Sequence, residues 1–155
     1  MSPLTVWRLC TARYAATAFG GKGARLYGGR WSPKGVPLTY TAESRALAVV
    51  EILANAEEPG QLALVPWVFI AAEFPPELVE KPTRFPEDWR HFPRSIATQD
   101  FGAKWAQEQR SVALRVPSAV VPGEFNFLLN PVHPDFKHVK IGRPAAFAFD
   151  PRLAG

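Results

Sequence analysis

An α+β domain built mostly on antiparallel sheet is the architecture the sequence predicts, and three observations carry it. Short segments of strand-like spacing outnumber helical ones, and only two stretches have helical spacing. Sixteen prolines break the chain into short elements joined by ordered turns. The intervals between strand-like segments do not follow the alternation of a doubly wound βαβ fold. At 155 residues the chain, 1–155, is one domain by size. Its 47% hydrophobic content is enough to bury a core without staples.

Val6 to Cys10 (VWRLC) reads as the first strand, with Arg8 in its middle. Thr11 to Gly23 is small and glycine-rich and is expected to be a long ordered loop. Gly28-Gly29 permits close backbone approach just before Arg30. Ser32-Pro33-Lys34-Gly35 is a turn signature. Val36, Leu38 and Tyr40 then alternate with Pro37, Thr39 and Thr41 as in a strand. A helix is predicted from an N-cap at Thr41 to about Ala56, ending before Pro59-Gly60. Its body, Ala46 to Ala54, holds a single charge, Glu51, and apolar residues cover almost its whole circumference, so it is expected to be largely buried.

Leu62 to Ala72 is a strand candidate with Pro66 marking an edge or bulge. Glu73 to Pro93 is proline-rich and predicts an irregular excursion. Thr98 to Gln109 is the second helix, capped by Thr98, with Phe101 and Trp105 facing the core. Ser111 to Val116 alternates as a strand that Pro117-Ser118 interrupts and Ala119 to Val121 resumes. Glu124 to Pro134 is apolar yet turn-rich. Val139 to Ile141 and Ala145 to Phe149 are two short closing strands.

The single cysteine, Cys10, rules out an internal disulfide and a cysteine-rich zinc site. His91, His133 and His138 are spread along the chain without an H-x-x-x-H spacing, so no metal centre is expected. No apolar run approaches the ~20 residues of a membrane span, and no secretory leader pattern opens the chain; a cytoplasmic protein is expected. The net charge of +4 comes without a basic run or aromatic-interleaved basic strip, so direct nucleic-acid binding is not expected.

Glu51 is the first candidate for chemistry, because a carboxylate in an apolar helix carries a desolvation penalty unless it is paired or hydrogen-bonded. An ion pair with Arg30 or Arg8 is its structural alternative. Arg30, beside two glycines, can present a bidentate fork to a phosphate or serve as a surface salt-bridging residue. Tyr40 is either a core tyrosine or a ring that stacks on a planar heterocycle. Ser118 either faces a cleft or forms a turn. Asn130 in LLNP and His133 in HPD have turn-forming alternatives. The phosphate-loop and dinucleotide fingerprints are absent, and so is the G-x-S-x-G elbow.

Three strings carry a resemblance: WRLC; ARLYGGRWSPKGVPLTYTAESRALAVVE; and SVALRVPSAVVPGEFNFLLNPVHPDF. Together they resemble the RES-domain toxins, a family named for an arginine, a glutamate and a serine. GGRW, a tyrosine ten residues after its arginine and a glutamate eleven residues later fall in the family's order, and the match runs from about Trp7 to Leu153. The resemblance implies a fold related to ADP-ribosyltransferases, the toxin role in a bacterial toxin–antitoxin pair, and consumption of NAD. NAD is then a substrate, not a bound cofactor, and inorganic phosphate is a possible co-substrate. By motif position the family's arginine is Arg30, its tyrosine Tyr40, its glutamate Glu51 and its serine Ser118, with Ser111 as alternative. Arg8 and Asn130 are secondary candidates for substrate binding. Ser32 stands where many relatives carry asparagine.

The reaction that the resemblance implies is cleavage of the nicotinamide–ribose bond, with phosphate or water as acceptor. Glu51 would stabilise the developing oxocarbenium-like charge, Arg30 and Arg8 would hold the pyrophosphate, Tyr40 would stack on nicotinamide and Ser118 would hydrogen-bond to the ligand. A cognate antitoxin covering the cleft is the expected protein partner, with an oligomer possible in that complex. A protein-modifying ADP-ribosyltransferase and a non-catalytic nucleotide- or protein-binding module are the alternatives.

Overall fold

Turn chemistry sets the element boundaries. The computed structural model describes residues 2–153. Its strands are β1 (Leu4–Thr11), β2 (Thr39–Ala42), β3 (Trp67–Phe74), β4 (Val79–Glu80), β5 (Ala113–Pro117), β6 (Phe125–Leu129), β7 (Lys140–Ile141) and β8 (Ala145–Phe147). The α-helices are α1 (Lys22–Tyr27), α2 (Arg45–Asn55) and α3 (Ile96–Gln107), with short 3-10 turns between. All strands join one curled sheet in the order β4-β5-β6-β2-β1-β3-β7, and β8 also pairs with β3. Only the short β4–β5 pair is parallel. The predicted α+β, mostly antiparallel architecture is therefore the one observed.

The sheet has a seam. β1 and β3 pair through eight residues, Leu4↔Phe74 to Thr11↔Trp67, and β2 and β6 through four. Between them β1 and β2 meet at one register pair, Trp7↔Ala42. The Tyr40 carbonyl is taken by a side chain, accepting from Arg8 Nη1 at 3.0 Å; a backbone acceptor left by a diverging ladder must find some partner.

Strand alternation sorts the core onto the two faces of this sheet. One face carries Val6, Cys10, Ile70, Ala72, Phe127 and Leu129, closed over by Phe19, Val112 and Val139. The opposite face carries Leu9, Ala42 and Phe69, covered by Leu47 and Ala48 of α2. It also carries Leu114, Val116 and Leu128, covered by Trp105 and Ala106 of α3 and by Trp31 and Leu38. Trp105 is fully buried; a side chain of that size contributes roughly 1.5–3 kcal/mol or more by leaving water. On this second face α2 and α3 cover different halves of the sheet.

Several boundaries differ from the expectation. Ser44, not Thr41, caps α2, accepting from Leu47 N at 3.1 Å. Thr41 lies within β2, its hydroxyl donating to the Phe127 carbonyl. Ser95, not Thr98, caps α3 by the same geometry. The strand predicted from Val36 begins only at Thr39, and the one predicted from Leu62 begins at Trp67, because Pro59–Leu64 forms a 3-10 turn. The expected Thr11–Gly23 loop contains a 3-10 turn and opens α1, which Gly21 and Gly28 bracket with φ of 75° and 73°. Ala119–Val121 does not resume β5; it belongs to the turn into β6. The closing strands are shorter than predicted, at two and three residues.

The expected burial of α2 is also corrected. Leu47 and Ala48 alone are buried, and Val49 to Leu53 are half-buried. The helix packs on β1 and β2 with one side, and the side bearing Glu51 is half-buried. Among the described residues no helix is long and apolar enough to cross a membrane.

Gly102 lets α3 approach the turn after α1, since a Cβ there would overlap the Trp31 carbonyl oxygen. Gly102→Ala should destabilise the fold by roughly 1–3 kcal/mol, as overpacking does, seen as a lower urea midpoint. Gly23→Ala, where a Cβ would meet nothing within 4 Å, should leave the midpoint unchanged or raise it.

Candidate functional site

The strip of the helical face between α2 and the turn after α1, the groove, carries the half-buried side chains of Glu51, Asn126, Tyr40 and Arg30. Glu51 enters from the middle of α2. Its Oε2 accepts from Ser118 Oγ at 2.7 Å and from Asn126 Nδ2 at 2.6 Å. Asn126 stands on β6 opposite Ala42, on the same face as Tyr40. The carboxylate is thus held through Oε2 from β6 and the end of β5 and makes no direct ion pair. Among the described residues, the ion pairs are Arg110 with Glu80 and Glu108, and Arg152 with Asp150.

Ser118 is buried, at 1% exposure, and its hydroxyl is fully committed. It accepts from Val120 N at 3.1 Å and Val121 N at 3.0 Å and donates to Glu51, which exhausts a hydroxyl's one donor and two acceptors. It holds Glu51 rather than a free cleft wall. Ser111 is placed elsewhere: its hydroxyl accepts from Trp105 Nε1 and donates to the Ala113 carbonyl. Of the two serines, Ser118 is the one beside Glu51.

Arg30 lies on the turn after α1, half-buried. Its Nη1 donates to the carbonyls of Trp89 at 2.9 Å and His91 at 2.8 Å. Burial holds the guanidinium below its ordinary pKa; Glu51 opposes that shift, whereas Arg94 adds to it. Arg94 is exposed, on the segment between Trp89 and Gln99. The segment carrying it is stitched to the Arg30 turn. Trp89 stacks on Trp31 with ring centroids 6.0 Å apart, and Gln99 Nε2 donates to the carbonyls of Gly29 at 3.1 Å and Ser32 at 3.3 Å.

Tyr40 forms the floor of the turn. Its hydroxyl accepts from Trp31 N at 3.0 Å and is hydrogen-bonded to Ser32 Oγ at 2.8 Å. A Cβ at Gly29 would overlap the phenol, which explains the glycine. Burial raises the Tyr40 pKa above the ordinary tyrosine range, against the opposing effects of the Ser32 and Trp31 hydrogen bonds and of Arg94 and Arg30. The phenol therefore anchors the arginine turn, and its half-buried ring is what remains to meet a ligand.

Two candidates lie apart. Arg8 projects from the face of β1 that carries Val6 and Cys10, opposite to Tyr40 by strand alternation. One arm holds the Tyr40 carbonyl, and its Nε is buried with no hydrogen-bond partner. Burial lowers its pKa. It buttresses β2 from behind. Asn130 is fully buried; it donates to the Ala106 carbonyl and accepts from Val132 N, so it closes the turn after β6 and ties it to α3. His133 likewise caps the turn at Pro134–His138.

Asn126 is the residue that sequence reasoning missed. The available signal was alternation: in EFNFLL it is the polar member of the face shared with Leu128. Arg94 and the carbonyls of Trp89 and His91 carried no local signal, since they reach Arg30 across about sixty residues of sequence. A depression of about 500 Å³ lies beyond α2, lined by Ala56, Glu57, Glu58, Gln61, Leu62, Val65 and Trp67; none of the groove's residues borders it.

A single curled α+β sheet with a carboxylate and an arginine held in one groove describes the class of domain. The family follows from comparison: the RES domain profile matches residues 5–150, and the chain belongs to that family. A Toxin Res of Yersinia enterocolitica is 37% identical, over 97% of this chain and 99% of the relative. The Prs ADP-ribosylating toxin of a Sphingobium species is 40% identical, over 95% of this chain and 94% of the relative. The crystal structure of the M. tuberculosis MbcT–MbcA toxin–antitoxin complex contains a chain of the same fold, with a TM-score of 0.79 at 18% identity. The match covers 98% of this chain and 87% of that one.

Removing the Tyr40 hydroxyl strands the Trp31 N–H and the Ser32 hydroxyl. Tyr40→Phe should cost roughly 1–3 kcal/mol in thermal unfolding at neutral pH. A folded-state pKa raised above the unfolded value of ~10 makes this contribution complete below pH ~10 and loses it as pH rises through the folded pKa. The parent should therefore lose stability above pH ~10 more steeply than the variant.

Proposed function

We propose that this chain is the toxin of a toxin–antitoxin pair and that it degrades NAD by cleaving the nicotinamide–ribose bond. The observation that carries the reading is Glu51: a carboxylate held through one oxygen by Ser118 and Asn126, in the same groove as Arg30. Membership of the RES-domain family and the names of the relatives support the toxin role.

In the reaction the C–N glycosidic bond breaks and its electron pair leaves with nicotinamide, which departs neutral. No strong general acid is needed. Positive charge develops on the ribose, and Glu51 stabilises it as a fixed negative group in a partly desolvated groove. Phosphate or water then bonds to the anomeric carbon, and the proton it releases passes to solvent. Arg30, with Arg94 beside it, supplies the positive field for the pyrophosphate. The Tyr40 ring offers a stacking surface for nicotinamide, and the Tyr40 hydroxyl keeps the arginine turn in place. NAD is a substrate here, and a cognate antitoxin, as in the complex of the structural neighbour, is the expected partner of a cytoplasmic enzyme.

A second reading has one observation in its favour. The Sphingobium relative is called an ADP-ribosylating toxin, and the same bond cleavage with a protein nucleophile as acceptor would give that activity.

Incubating the purified chain with NAD separates these readings. Free nicotinamide without labelled protein supports NAD degradation, and faster turnover on adding phosphate identifies a phosphorylase. A labelled protein supports the second reading, and unchanged NAD refutes both. Glu51→Gln should lower turnover by about 10²–10³-fold or more with the fold intact; near-parental turnover would refute the role given to Glu51.

A further inference from the structure

With Glu51 ionised, the amide of Asn126 has one orientation. A carboxylate oxygen accepts and does not donate, so the group within 2.6 Å of Glu51 Oε2 is the NH₂. Asn126 Oδ1 is then turned away from Oε2. Both hydrogen bonds to Glu51 end on Oε2, so Oε1 has no partner among the described residues, and neither has Asn126 Oδ1. Neither is a buried orphan, since Arg8 Nε alone is both buried and unpartnered among the described residues. Two oxygens, linked through one hydrogen bond, therefore reach solvent as unused acceptors.

Nothing on the protein's side donates to them. The ligand that fits brings two hydroxyl donors on neighbouring carbons, which is the vicinal diol of a ribose. We propose that Asn126 is a positioning and specificity residue: its Nδ2 fixes the Glu51 carboxylate, and its Oδ1 accepts from one ribose hydroxyl while Glu51 Oε1 accepts from the other. This rests on the NAD reading and adds the group on the substrate that the site recognises. Asn126 thereby couples recognition to chemistry. A ribose that fills both acceptors is also the one whose anomeric carbon lies beside the fixed carboxylate.

The test compares NAD with two analogues that lack, in turn, the 2′- or the 3′-hydroxyl of the nicotinamide ribose, in the parent and in Asn126→Ala. The parent should lose about 10- to 100-fold in kcat/KM with each analogue, the size of a hydrogen bond to a charged or preorganised acceptor. In Asn126→Ala the loss should collapse for one analogue and persist for the other. Intrinsic reactivity of the analogues cancels when the ratios of variant and parent are compared. A residue that merely braced the fold would lower all three rates together. If Asn126→Ala does not fold, as judged by circular dichroism, the similarly sized Asn126→Leu carries the same comparison. A parent that accepts either analogue as well as NAD overturns the proposal, as does a variant that keeps both discriminations. A parent that leaves NAD untouched refutes the NAD reading itself, a separate and earlier failure.

Discussion

A carboxylate on a largely apolar helix has to be given partners, and meeting that requirement organises this domain. Glu51 finds no partner on α2. Its two donors come from Ser118 and Asn126, at the end of β5 and on β6. Those strands belong to the half of the sheet across the seam from β1 and β3. The helix packs across the seam, on β1 and β2, and its carboxylate is hydrogen-bonded to one half alone. The polar contact therefore fixes the helix that spans the thin β1–β2 ladder against β6 and the end of β5.

The positive side of the groove is built by a separate chain of constraints. Gly29 admits the Tyr40 phenol beneath the turn, and the phenol holds Trp31 N and Ser32 Oγ. Trp31 receives Trp89, Phe85 and Phe101. The same segment returns carbonyls to Arg30, and Gln99 closes the loop on the turn's own carbonyls. Each link orders the next, so the arginine's direction depends on a tyrosine beneath it and on a loop about sixty residues away. Ser32 takes part through its hydroxyl, which gives this position a definite job.

What was legible in the sequence was local. The α+β class followed from short strands and proline punctuation, and Glu51 stood out because one charge in an apolar helix needs an explanation. Boundaries shifted where two capping residues competed: Thr41 and Ser44 both precede α2, and the ladder to β6 claimed Thr41. Roles shifted where long-range partners decide them. Arg8 is one alternation step away from the groove and serves the back of β2. Asn130 is spent on a turn, and Asn126, four residues earlier, reaches Glu51 because β6 pairs with β2 in a register no local pattern encodes.

The separation of charges is the last consequence. Had Arg30 paired with Glu51 directly, each would have cancelled the other's field, and a ligand would have had to break the pair before using either. Instead Arg30 is anchored by neutral carbonyls and Glu51 by neutral donors. Hydrogen bonds to neutral groups satisfy an ion without removing its charge from the surroundings. The groove keeps a positive field at the arginine turn and a negative one at α2, with the Tyr40 ring between β6 and the turn. Under the proposed reaction those two fields act on opposite ends of the same half of the substrate: the pyrophosphate, already negative in the ground state, and the ribose, which becomes positive only as nicotinamide leaves. The first interaction binds and the second appears in the transition state, which is the division that lets binding energy be used for rate.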